Sequence, residues 1–192
     1  MSINFHDVEK LQAFYPEHKI ELREGKLIIM SPSDFATGEI GARFSTLLNL
    51  WVLQYSLGHV LGASAGLLMP NGDLLLANVS FVSRERLKQT PRTYLPVVPE
   101  LVVVIKSSTD RIRELEQKVA LFLRQGVQVS LLIDPDKRTV RVYRASSLSQ
   151  DVEGEEVIFP ITILKDGDTL TIPDLFPGWE LPVSSLWPPV YE

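Results

Sequence analysis

The hydrophobic and polar positions change period several times along the chain, and each change marks an element. After a short start expected to be helical or irregular, residues 20–22 and 27–30 flank the polar stretch Arg23-Glu24-Gly25-Lys26. Gly25 can take positive φ there and close a hairpin, and Pro32 ends its second strand. From 36 to 56, Ile40, Phe44, Leu47, Leu48, Trp51 and Tyr55 recur at spacings of three and four and Gly58 follows, which predicts an amphipathic helix. Residues 60–69 and 74–82 are largely apolar and are separated by Pro70-Asn71-Gly72-Asp73, so two strands joined by a turn are expected. A polar, Pro-rich linker over 84–99 leads to the aliphatic run 101–105, of the kind buried on both faces inside a sheet.

Ser107, Ser108, Thr109 and Asp110 offer N-caps for a helix over 111–125, with Ile112, Leu115, Val119, Phe122 and Leu123 on one face and Gly126 as its stop. Residues 127–133 read as a second buried strand, 134–137 as a turn and 139–143 as an alternating strand. The order around Lys106 is therefore strand, helix, strand. The acidic stretch 151–156 reads as a solvated loop, 157–164 and 169–172 as strands, and the Pro-rich tail is expected to pack as an edge.

Composition narrows the partners. A chain of 192 residues is long enough for one domain with a substantial core, and 45% hydrophobic with 22% charged residues is ordinary globular composition. One domain over 1–192 is the expectation. Nineteen Lys+Arg against 24 Asp+Glu give a formal charge of -5, so nucleic-acid binding would have to be local. The start lacks the unbroken apolar core of a signal peptide, the apolar runs are strand-sized, and there is no Cys. A cytoplasmic protein without a membrane partner is the default expectation.

Metal-dependent phosphodiester cleavage needs carboxylates to hold Mg²⁺ and a general base or charge stabiliser, commonly Lys, beside the phosphate. On the strand 101–105 side chains alternate, so Lys106, Val104, Val102 and Glu100 share a parity. A carboxylate at 104 would lie about 7 Å from Lys106 along the backbone, whereas Glu100 is displaced by roughly 13 Å from 104, too far to replace it without a bend.

The segments IELREGKLIIMSP (20–32), NVSFVSRERL (78–87), PELVVVIKSSTD (99–110), LEQKVALFLRQGVQVSLLIDPDKRTVRVYR (115–144) and PDLFPGWELPVSSLWPP (173–189) together resemble the Uma2 family, restriction-endonuclease-like proteins of the PD-(D/E)XK nuclease superfamily. The likeness covers nearly the whole chain. It implies an α/β (mixed α+β) restriction-endonuclease-like fold with a central mixed sheet flanked by helices, Mg²⁺ dependence, DNA as substrate, and a homodimer. The family's site carries over only in part. Where its pattern has Pro-Asp this chain has Ala77-Asn78, and where it has Glu-x-Lys this chain has Val104-Ile105-Lys106. Ala36 stands where many members place an acid, and a common Asp-Gly-Glu turn reads Glu24-Gly25-Lys26. Glu21, Lys106 and Lys118 remain in register.

The resemblance thus implies that Lys106 is the relic of a catalytic lysine and that Asn78 and Val104 are degenerate metal-ligand positions, with no metal bound. Glu21 or Asp73 could each supply one ligand. Lys118 either turns toward Lys106 to help bind phosphate or solvates a helix flank, and Arg84 and Arg86, in the densest basic stretch, either border a phosphate-binding cleft or belong to a solvated linker. Asp134 and Asp136 read as turn residues, the three His as surface residues, and Trp51 as core or dimer contact. The leading expectation is a nuclease-like protein without catalysis that retains weak nucleic-acid contact through Lys106, Lys118, Arg84 and Arg86. An active Mg²⁺-dependent endonuclease with rearranged ligands, and a dimeric interaction module without a nucleic-acid role, are the alternatives.

Overall fold

The computed structural model describes residues 3–145 and 159–191. The helix α1 (Phe5–Phe14) opens the chain behind a capping box, Asn4 accepting from His6 N–H while Asp7 accepts from Asn4 N–H. β1 (Lys19–Arg23) and β2 (Lys26–Met30) form the expected hairpin, and both Glu24 and Gly25 take positive φ at its turn. The long helix α2 (Phe35–Gln54) follows.

The two long strands expected at 60–69 and 74–82 are each broken in two. β3 (Gly58–Gly62) and β4 (Gly66–Leu68) replace the first, and β5 (Leu74–Leu76) and β6 (Val79–Ser83) replace the second. The breaks arise because the chain changes sheet at both places. β3 and β6 belong to a six-stranded sheet ordered β10-β9-β8-β7-β6-β3, whereas β4 and β5 join the hairpin in a four-stranded sheet ordered β2-β1-β5-β4. Ala77 and Asn78 make the second crossing.

β7 (Leu101–Ile105) and β8 (Val129–Asp134) run parallel at the centre of the larger sheet, linked by α3 (Ile112–Arg124), and the other pairs in that sheet are antiparallel. β9 (Thr139–Arg144) and β10 (Ile161–Leu164) complete it. Alternation on β7 decides what covers each face. Leu101, Val103 and Ile105 pack with Ile40, Phe44, Leu48 and Val52 of α2, whereas Val102 and Val104 pack with Val119 and Phe122 of α3.

The tail departs from its expected edge position. β11 (Thr169–Thr171) and β12 (Glu180–Pro182) pair with each other, a short 3-10 helix covers Val183–Leu186, and Phe176, Trp179, Leu181, Leu186 and Trp187 are buried in the α2-side core. Spaced aromatics among prolines hide a core face, because neither helical nor strand period applies to such a segment. The 84–99 linker is also less solvated than expected: Leu87 and Leu95 are buried, and Leu95 exchanges backbone hydrogen bonds with Gly66 and Leu68. Trp51 is partly buried, its ring 4.4 Å from that of Tyr55. The acidic loop 151–156 and the first part of the strand expected at 157–164 lie outside the described residues. Among the described residues no helix is long and apolar enough to cross a membrane.

Asp34 ties two of these elements together. It caps α2 by accepting from Thr37 N–H at 2.9 Å and also accepts from Ser108 N–H at 2.6 Å in the β7–α3 loop. These two backbone donors hold its carboxyl well below the ordinary carboxylate range. Asp34→Ala is expected to lower stability by about 1 kcal/mol at pH 7. Because the folded value is depressed, the contribution is complete above about pH 4 and fades as pH falls below it, so the native and Asp34→Ala denaturation curves converge in acid.

Candidate functional site

β1 carries alternating side chains, with Ile20 and Leu22 turned into a small core against α1 and Lys19, Glu21 and Arg23 sharing the opposite parity. That second face, the β5–β6 crossing, the end of β7 and the first turns of α3 enclose a cleft of 510 Å³ lined by Lys19, Arg23, Ile28, Met30, Asn78, Val104, Leu115 and Lys118, among others. The crossing between sheets is therefore what opens the cleft.

Glu21 is fully buried beneath this cleft. Its Oε1 accepts from Lys118 Nζ and, at 2.8 Å, from Leu76 N–H, and its Oε2 accepts from an Arg23 Nη. Burial pushes the Glu21 carboxyl up, but the adjacent Lys118 and Arg23 charges and their hydrogen bonds more than offset this and hold it below its ordinary value. Burial lowers the Lys118 ammonium, and the Glu21 charge only partly restores it. The result is a buried carboxylate held by two cations.

Asn78 extends the β6–β7 pairing by one step. Its N–H donates to Val103 C=O and its Oδ1 accepts from Ile105 N–H, both at 2.9 Å, so the side-chain oxygen takes the place of a strand carbonyl. Val104, 3% exposed, presents methyl groups at the cleft. Lys106 instead reaches the β8–β9 turn, where its Nζ pairs with Asp136 at 2.7 Å and donates to Ser107 C=O, and it does not line the cleft. The Asp136 hydrogen bond is the main reason its ammonium is raised above its ordinary value.

Glu21, Asn78, Val104 and Lys118 thus come together, and the expected nucleic-acid set does not. β6 and β7 are antiparallel, so Arg84 and Arg86 lie at the end of the sheet opposite Lys106, roughly 20 Å away along the strands. Arg84 pairs with Glu85, and Arg86 pairs with Glu100 at 3.0 Å while donating to Val98 C=O. Glu100 also accepts from Ser83 N–H and Oγ–H, so it serves that far end. Asp73, buried, accepts from Glu24 N–H and Asn71 Nδ2–H in the turn before β5. Asp134 Oδ1 accepts from Asp136 and Lys137 N–H, in keeping with a turn. His6 and His18 are exposed, and half-buried His59 bonds Leu87 C=O. Lys19, Arg23 and Asp34 are not singled out by the sequence; strand alternation carried one residue beyond 20–22 at each end would place the first two on the side of Glu21.

Mg²⁺ takes oxygen ligands in near-octahedral geometry, usually one or two carboxylates and several waters. Around this cleft Val104 offers no oxygen, Asn78 Oδ1 is taken by a backbone N–H, and both Glu21 oxygens are held by cations. Among the described residues no three His, Cys, Asp or Glu are grouped to hold a metal ion. This donor set does not fit Mg²⁺.

The six-stranded mixed sheet flanked by helices defines an α/β protein. The family model Uma2, described as "Putative restriction endonuclease", matches residues 5–184, and the chain belongs to that family. Its fold is similar to the crystal structure of a putative nuclease belonging to DUF820 from Anabaena variabilis ATCC 29413, with a TM-score of 0.78 at 18% identity, covering 96% of this chain and 97% of that one. No protein of curated function matches the chain.

Proposed function

We propose that this chain is a Uma2 protein that does not cleave DNA. The observation that carries this reading is the commitment of the cleft's oxygens: Glu21 to Lys118 and Arg23, Asn78 to Ile105 N–H, with a valine at 104. A divalent ion at the Glu21, Asn78 and Val104 positions would require breaking the Glu21 pairs or the Asn78 bond beside two cations that repel it. Lys106, held by Asp136, has no carboxylate beside it on its own strand face to complete a nuclease centre.

Nucleic-acid contact, on this reading, is weak, with few phosphates neutralised, since Lys106, Lys118 and Arg86 are paired and Arg84 and Arg86 stand far from the cleft. Supercoiled plasmid incubated with the purified chain and Mg²⁺ or Mn²⁺ is expected to stay supercoiled. Nicking that Lys106→Ala abolishes would overturn the reading.

A further inference from the structure

We propose that the cleft receives an anion: the carboxylate of a small organic acid, bound by Arg23, Lys118 and Asn78 with its apolar body along Ile28, Met30, Leu76 and Val104. This rests on the non-cleaving reading, because a cation site in the same place would exclude an anionic ligand, and it names the ligand class of that cleft.

Donor counts support it. At the floor Lys118 and Arg23 share the single carboxylate of Glu21, and over the whole cleft Lys19, Arg23 and Lys118 balance Glu21, Asp110 and Glu114, so spare donors rather than net charge mark the site. Lys118 is 7% exposed and lines the cleft, yet only one of its three N–H donors has a partner among the described residues. Arg23 uses one of its five donors on Glu21, and its Nε–H is sealed from water without a partner. The Asn78 oxygen is consumed by Ile105 N–H, which leaves its amide N–H groups as donors on a residue that lines the cleft. Donors therefore converge where acceptors are lacking. Lys19, at the border with the adjoining 350 Å³ cleft, adds a further cation.

The acids in the wall do not fill this role. Asp110 Oδ2 accepts from both Ser107 N–H and Ser107 Oγ–H, and Glu114 faces Arg111 at 3.8 Å. Val104 matters for what it lacks, since a carboxylate there would compete with the incoming anion. A volume of 510 Å³ suits a small ligand.

Local charge at the floor also chooses between anions, because Glu21, Asp110 and Glu114 oppose a second negative charge. A carboxylate supplies one negative charge, matching the floor, and fits the flat guanidinium fork. A phosphate monoester brings about −1.5 to −2 and over-neutralises it. A duplex backbone phosphate, flanked by its sugars, cannot be lowered onto an ammonium that is 7% exposed.

Calorimetric titration and thermal melting of the full chain test this, with hexanoate, hexanol, inorganic phosphate and a short DNA duplex as probes. Hexanoate is expected to bind one to one and to raise Tm with concentration, hexanol and phosphate to bind at least about tenfold more weakly. Arg23→Gln should weaken hexanoate roughly tenfold, as expected for a lost charge-assisted pair. Val104→Glu and Asn78→Asp, each placing a negative charge in the cleft, should abolish binding; Asn78→Asp keeps the acceptor for Ile105 N–H and so guards against a variant that misfolds. Absence of saturable hexanoate binding, equal binding of hexanol, or binding unchanged in folded variants would overturn the inference, and tighter binding of phosphate or duplex would overturn the carboxylate assignment. Plasmid nicking with Mg²⁺ in the same preparations reports separately on the non-cleaving reading: hexanoate failing without nicking sinks this inference alone.

Discussion

Glu21→Gln is expected to destabilise the fold by about 3–5 kcal/mol, the range for removing one partner of a buried ion pair. The glutamine keeps an oxygen for Leu76 N–H, so the loss isolates the charge: Lys118 is left buried, and Arg23 part-buried, without the carboxylate that balances them. The lysine can escape by shedding its proton, which caps its share near 5 kcal/mol at pH 7, given an ordinary value of about 10.4. A Tm lower by on the order of 10 °C follows for a chain of this size. Lys118→Met on top of Glu21→Gln should recover much of the loss, a coupling that a double-mutant cycle measures directly. The pH dependence has a defined sign. Because the folded Glu21 carboxyl lies below its ordinary value, its stabilisation is complete above about pH 4.5 and is lost as pH falls further, so the acid limb of the native stability curve should be steeper than that of Glu21→Gln.

The second large effect is a gain. Asn78→Asp with Val104→Glu places two carboxylates on facing strands at one edge of the cleft, where Asn78 already spans β6 and β7. Without metal this variant should be several kcal/mol less stable than the native chain, because position 104 is 3% exposed and a carboxylate there loses its hydration. Mg²⁺ should restore part of that loss. At tenfold above a millimolar Kd the linkage amounts to about 1.4 kcal/mol, visible as a Tm that rises with Mg²⁺ in the variant and stays flat in the native chain.

Much of the frame was legible in the sequence, because it depends on local period. The aliphatic run 101–105, the stripe of α3 and the hairpin around Gly25 each announce themselves within a few residues. Parity on β7 likewise assigns Val104 and Lys106 to one side. What stayed hidden was long-range. Lys118 lies 97 positions from Glu21, and nothing in either neighbourhood says that they meet. The breaks within 60–69 and 74–82 were hidden because apolar residues run through both sheets, and only the pairing partners reveal the change. Lys106 could be placed on its strand, while the Asp136 that draws its ammonium away sits 30 positions downstream in a turn that reads as plain solvent. The tail's aromatics belong to the core, although their proline-rich setting has no period to betray it.

Whether this Uma2 protein can hold a catalytic cation is decided by calorimetric titration of Mg²⁺ and Mn²⁺ into the native chain and the Asn78→Asp, Val104→Glu variant side by side. The native chain is expected to give no binding heat and the variant a one- or two-site isotherm. Stoichiometric ion binding by the native chain, weakened by Glu21→Gln, would contradict this expectation and would mean that Glu21 gives up Lys118 and Arg23 to a metal.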